Sequence, residues 1–139
     1  MQDPQKITLP AELESLAAFR QFVEAACKGH PGIDHSFIYD LMLAVDEACS
    51  NIITHGYAGM DPGSIMLACQ MEPDKAVITI TDFGHPFEPY EPERPEVNAE
   101  LEDFPSDVFS LFFLYQSTDE VEYESGEDGN RMALIKYIR

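Results

Sequence analysis

The apolar residues of this chain change period once, and that change dictates the fold class. Across residues 11–28, Leu13, Leu16, Ala17, Phe19, Phe22, Val23 and Ala26 recur at spacings of three and four, which predicts a helix with one buried face. Gly29 and the Pro31-Gly32 pair stop it. Asp34 has the chemistry of an N-cap for a second helix, with Phe37 as its first anchor. Its apolar positions Ile38, Leu41, Met42, Val45, Cys49, Ile52 and Ile53 fall in a stripe roughly 120° wide, and Gly56 is its natural stop. From residue 64 the period is two. Residues 64–71 (SIMLACQM) and 76–82 (AVITITD) read as strands joined by a turn at 72–75. In the second of them Ile78 and Ile80 face one way, and Val77, Thr79 and Thr81 the other.

The flanks complete the pattern. A weak edge strand at 6–9 ends at Pro10. Residues 83–107 carry five of the ten prolines and eight acidic residues, a long segment of the kind that is usually functional or mobile. A short apolar helix is expected at 108–115, then strands at 120–124 and 131–137 around a two-glycine turn at 125–130. No internal repeat is present. The order of helices, hairpin, loop, helix and hairpin predicts an α+β two-layer sandwich, a mixed but mostly antiparallel sheet with helices on one face. With 139 residues the chain fits one domain, 1–139, able to bury a core without disulfide or metal staples.

Charge excludes some partners. Eight Lys and Arg against 26 Asp and Glu give a formal charge of −18. Such a surface repels nucleic acid and anionic membranes and favours basic partners. A phosphate ligand then needs backbone amides, a helix N-terminus or a bridging cation. Cys27, Cys49 and Cys69 form no CxxC pair and read as buried, reduced thiols. Residues 1–10 lack an export-type apolar stretch, and no apolar run is long enough to span a bilayer, so a soluble cytoplasmic protein is expected.

Two short constellations carry chemistry. Glu47 and Asn51 are four apart, one helical turn above each other, about 180–220° from Ile38 and on the side of Asp40. A solvated face is the bland explanation. The small neighbours Ala44 and Ala48 favour close approach of a ligand instead. A carboxamide oxygen can ligate Mg²⁺, and a carboxylate can take a proton from an attacking hydroxyl. Beyond the hairpin, Asp82-Phe83-Gly84-His85-Pro86 is either a plain turn or a base-reading site. In the second case Asp82 accepts from the exocyclic amine of adenine and Gly84 lets the backbone pass close to the base. His85 reads as a loop residue rather than a ligand.

An E-x-x-x-N helix, a hairpin and then D-x-G-x-P resemble, in that order, the GHKL (Bergerat) ATP-binding fold of histidine kinases and gyrase-type ATPases. The segments LAVDEACSNIITHGY (43–57), ITITDFGHPF (78–87) and DEVEYESGEDGNRMALIKYI (119–138) are similar to those of the bacterial anti-sigma-factor serine kinases. The resemblance implies that Asn51 ligates Mg²⁺, Glu47 is the general base for a substrate serine, and Asp82 with Gly84 reads adenine. It implies ATP as phosphoryl donor, a STAS-type antagonist protein as substrate, a sigma factor as second partner, and a homodimer. Val108 and Ser110 stand where the family's second glycine-rich segment covers the phosphates, in the lid region opened by 83–107. A β-branched Val does not readily adopt positive φ, and Asp107 adds negative charge. The departure leaves a second reading open, a GHKL-fold regulatory module that has lost catalysis and sequesters a partner. A third is a protein-binding scaffold without nucleotide.

Overall fold

In the computed structural model, residues 5–28, 30–85, 114 and 116–138 are described. Strand β1 (Gln5–Pro10) leads into helices α1 (Ser15–Cys27) and α2 (His35–Asn51), then strands β2 (Ser64–Met71) and β3 (Lys75–Asp82). Strands β4 (Glu120–Gly126) and β5 (Gly129–Tyr137) close the chain. The sheet order is β1-β2-β3-β5-β4 and every pairing is antiparallel. This is the expected α+β architecture, with the sheet more regular than the mixed one anticipated.

The alternation in β2 and β3 does what period two demands. Ile65, Leu67 and Cys69 are buried together with Ala76, Ile78, Ile80 and Asp82, while Val77, Thr79 and Thr81 lie half-exposed on the opposite face. From β5, Met132 and Leu134 join the buried face. The helices cover it: Phe19, Val23 and Cys27 of α1 and Leu41, Ala44, Val45, Ala48 and Cys49 of α2 belong to the same core. All three cysteines are buried free thiols, as the sequence implied. The Cys27 thiol donates to the Met71 sulfur at 4.0 Å.

Helix α2 starts as expected. Asp34 has extended backbone and its Oδ1 accepts from the Phe37 N–H at 2.9 Å. Helix α1 does not. It was expected from residue 11, but Ala11 continues the sheet edge by donating its N–H to Gly63 O at 2.8 Å, and Glu12 N–H turns back onto Pro10 O. The helix therefore begins at Ser15, and Leu13, expected on its core face, is 62 % exposed.

The second helical stretch also ends differently. Its α-helical part stops at Asn51, and Ile52–Gly56 is wound as a π turn, in which Tyr57 N–H reaches back to Ile52 O at 3.2 Å. The last hairpin is tighter than predicted. Gly126 pairs with Gly129, so Glu127 and Asp128 alone make the turn, and Gly129 takes the left-handed φ of 106°. The expected helix at 108–115 lies outside the described residues except for Leu114, which is helical and buried.

Candidate functional site

The site forms where α2 and β3 end side by side. Ala48, Asn51, Ile52 and Gly56 from α2 and the π turn meet Asp82 and His85 from the end of β3, with Leu114, Tyr123 and Met132 closing the far side. They enclose about 410 Å³ of empty space, open mouth included. Ile52, Leu114 and Met132 supply apolar walls. Asn51 and Asp82 are the polar groups the sequence singled out, and the fold brings them into one cleft although they lie far apart along the chain.

Asp82 is the most constrained of these. It is 5 % exposed, a buried carboxylate that requires hydrogen bonds to be stable there. Oδ1 accepts from the Gly84 N–H at 2.9 Å and from Asn130 Nδ2 at 3.0 Å. Asn130 Nδ2 also donates to Gly84 O at 2.9 Å, and Ser125 Oγ donates to Asn130 Oδ1 at 2.9 Å. Beneath this network the Cys49 thiol is pushed far above its ordinary range by burial, then by the nearby Asp46 and Asp82 carboxylates, so it stays protonated.

Gly84 is required for a reason the sequence did not reveal. A Cβ there would stand 2.6 Å from the Gly56 carbonyl carbon and closer still to its oxygen. The close approach is thus to the π turn. It lets His85 N–H donate to Gly56 O at 2.5 Å, and the His85 ring nitrogen Nε2 lies 3.1 Å from Ala58 O. His85, expected to be a plain loop residue, lines the cleft. Tyr57 adds a second tie. Its hydroxyl donates to Ser64 O at 2.8 Å and accepts from the Phe83 N–H at 3.0 Å.

The other candidates are placed less centrally. Glu47 is half-buried one turn before Asn51 and is not among the residues lining the cleft. Its neighbour Asp46 pairs with Arg20 of α1. Asp40, on the same side in sequence, pairs with Lys136 at 3.4 Å. Val108 and Ser110 lie outside the described residues. Asn130, Tyr57 and Gly56 were missed by sequence reasoning. Asn130 carried only the signal of a turn residue after glycine, and its bond to Asp82 spans 48 positions.

The donor set fits the groups that sequence reasoning implied. An amide oxygen in an anionic surround suits a hard divalent cation. A buried carboxylate flanked by apolar walls suits a flat base bearing an amine. None of the described residues lining the cleft is Lys or Arg, so an anionic ligand there gains its compensation from amides and a cation.

Comparison with known proteins agrees with this architecture. Residues 9–136 match the histidine kinase-like ATPase domain. The chain is 26 % identical to the serine-protein kinase RsbW of Bacillus cereus (strain ATCC 10987 / NRS 248), over 96 % of this chain and 84 % of that protein. It is 25 % identical, over the same shares, to the serine-protein kinase RsbW of Bacillus mycoides (strain KBAB4). Among solved structures, the RsbU and RsbW domains of a Mycobacterium tuberculosis protein superpose with a TM-score of 0.69 at 21 % identity. That match covers 99 % of this chain and 33 % of the other, so the chain spans about a third of that protein's length.

Proposed function

Since the chain belongs to the histidine kinase-like ATPase domain family, we propose that it is an ATP-dependent protein serine kinase of the anti-sigma type. It transfers the γ-phosphoryl group of ATP to a serine of a STAS-type antagonist protein and, in the alternative complex, holds a sigma factor inactive. The observation that carries the reading is Asp82, a buried carboxylate fixed by Gly84 and Asn130 in an apolar cleft that Asn51 also lines. Its relatives named as serine-protein kinases support the reaction class.

The roles are those that the family resemblance implies. Asp82 accepts from the adenine amine, while Ile52, Leu114 and Met132 pack on the base. The Asn51 amide oxygen holds Mg²⁺, which supplies charge neutralisation for the phosphates. Glu47 takes the proton of the attacking serine hydroxyl as the oxygen–phosphorus bond forms and ADP leaves. Val108 and Ser110 are the positions that the resemblance assigns to the phosphate contacts. We read residues 1–139 as one such domain, acting as a homodimer in the cytoplasm. Among the described residues no helix is long and apolar enough to cross a membrane.

The test pairs binding with transfer. The wild type binds ATP with Mg²⁺ by calorimetry and phosphorylates the antagonist. Glu47→Ala keeps ATP affinity within about threefold and loses roughly 100-fold or more in transfer, the range of a general base. Equal transfer by the variant removes Glu47 from that role. Val108 and Ser110, in place of glycines, favour a second reading, a module that binds nucleotide and sequesters its partner without turnover. Tight ATP binding with no transfer by the wild type selects it.

A further inference from the structure

Asn130 stands behind Asp82 rather than in the cleft, yet every polar group of its carboxamide is committed. Its two Nδ2 protons go to Asp82 Oδ1 at 3.0 Å and Gly84 O at 2.9 Å. Its oxygen accepts from Ser125 Oγ at 2.9 Å. Turned over, the amide would set its oxygen against a carboxylate and a carbonyl, so Asp82 and the Gly84 carbonyl fix which way it points, and the Ser125 hydroxyl holds its oxygen in place. Asn130 is 3 % exposed and faces Asp82 in the β3–β5 register, so no water replaces it cheaply. Gly129 also crowds the end of β3, since a Cβ there would lie 2.7 Å from Asp82 O. Backbone packing thus holds the Asp82 main chain, but the side chain is oriented from this side by Asn130.

We propose that Ser125 and Asn130 form a positioning relay from the β4–β5 hairpin that sets the Asp82 carboxylate and thereby the selection of an amino-purine base. The inference rests on the adenine reading of the cleft. The relay presents a preorganised acceptor, and acceptors favour the 6-amino group of adenine over the 6-oxo group of hypoxanthine or guanine. Bonding both Asp82 Oδ1 and Gly84 O, Asn130 also ties the carboxylate to the root of the segment that follows β3. Its contribution therefore acts on the base end, not on the phosphate end.

The experiment is calorimetry with ADP and with inosine diphosphate on the wild type, Asn130→Ala, Asn130→Asp and Ser125→Ala, each with its thermal midpoint measured. Asn130→Asp keeps the size of the side chain while replacing the donor with an acceptor, and so separates orientation from packing. In the wild type ADP binds more tightly than inosine diphosphate. Both position-130 variants lose roughly 10-fold or more in ADP affinity, the value of a hydrogen bond to a charged group. Inosine diphosphate changes by less than about threefold in both, so the preference collapses, and Ser125→Ala falls between them. A folded position-130 variant that keeps the full ADP preference overturns the relay and leaves the ATP site standing. Equal losses for both nucleotides assign Asn130 a structural role only and overturn it as well. A wild type with no preference for ADP overturns the adenine reading and the relay together.

Discussion

A single phenol shows how tightly the residues around the cleft depend on each other. Tyr57 bridges Ser64 O and the Phe83 N–H, and so joins the loop after α2 to the start of β2 and to the residue after Asp82. Burial raises its pKa above the ordinary 10.0, the Phe83 N–H opposes this and Asp82 adds to it. A folded-state value above the unfolded one means stability that is fully present below about pH 10 and is lost as pH climbs through the folded value. Tyr57→Phe strands the two backbone partners and should cost about 1–3 kcal/mol at neutral pH. The variant should also lose part of the alkaline decline. Urea unfolding at neutral pH and above pH 10 checks both, and identical pH profiles for variant and wild type would refute the assignment. At this scale the sequence was partly transparent. Asn51 and Asp82, singled out as an amide and a carboxylate in fixed local patterns, do line one cleft. The crowding of Gly84 by Gly56 was not legible, since it depends on a contact across 28 positions, Gly56 to Gly84. Asn130 was hidden because an Asn after Gly has the look of any turn.

Elements were read best where their signals are local. Helix α2 opens at Asp34 because one side chain can cap a helix without help from the fold. Helix α1 opens four residues later than its periodicity implied, because the Ala11 N–H is claimed by Gly63, a partner no window around Ala11 contains. The π turn is invisible for the same reason: it sets the Gly56 carbonyl against the His85 N–H, a partner no local window contains. The strands were found to within two residues at every end, since alternation survives burial on one face. The Asp34 cap offers a test of how far an element's stability is separable from the site it carries. Asp34→Ala should lower stability by about 1 kcal/mol, and Asp34→Ser should restore most of it. ATP affinity should be unchanged within about twofold, because at 1.5 Å per residue the cap lies roughly 25 Å from Asn51. Denaturant midpoints and calorimetry decide it, and a large fall in affinity would mean that fraying at the cap reaches the other end of the helix.

The whole molecule sets a problem that neither a residue nor an element can solve. On the proposed function, a chain with formal charge −18 must admit a polyanion to a cleft whose described lining holds no Lys or Arg. Of the described basic residues, Arg20, Lys75 and Lys136 are paired with Asp46, Glu72 and Asp40. On the proposed function the long-range field opposes approach of the nucleotide, and its capture would rest on short-range amides and Mg²⁺. In a phosphate site built on Lys and Arg, salt weakens steering and slows association. Here the sign reverses. Raising KCl from about 10 to about 150 mM shortens the Debye length from about 30 to about 8 Å and screens repulsion first. With Mg²⁺ in constant excess, stopped-flow measurement should show the association rate of Mg-ATP rising with salt. A fall of several-fold would mean that cations from outside the described lining guide the ligand in. The same screening should raise the folding stability, because self-repulsion of 26 acidic residues acts on the compact state most strongly.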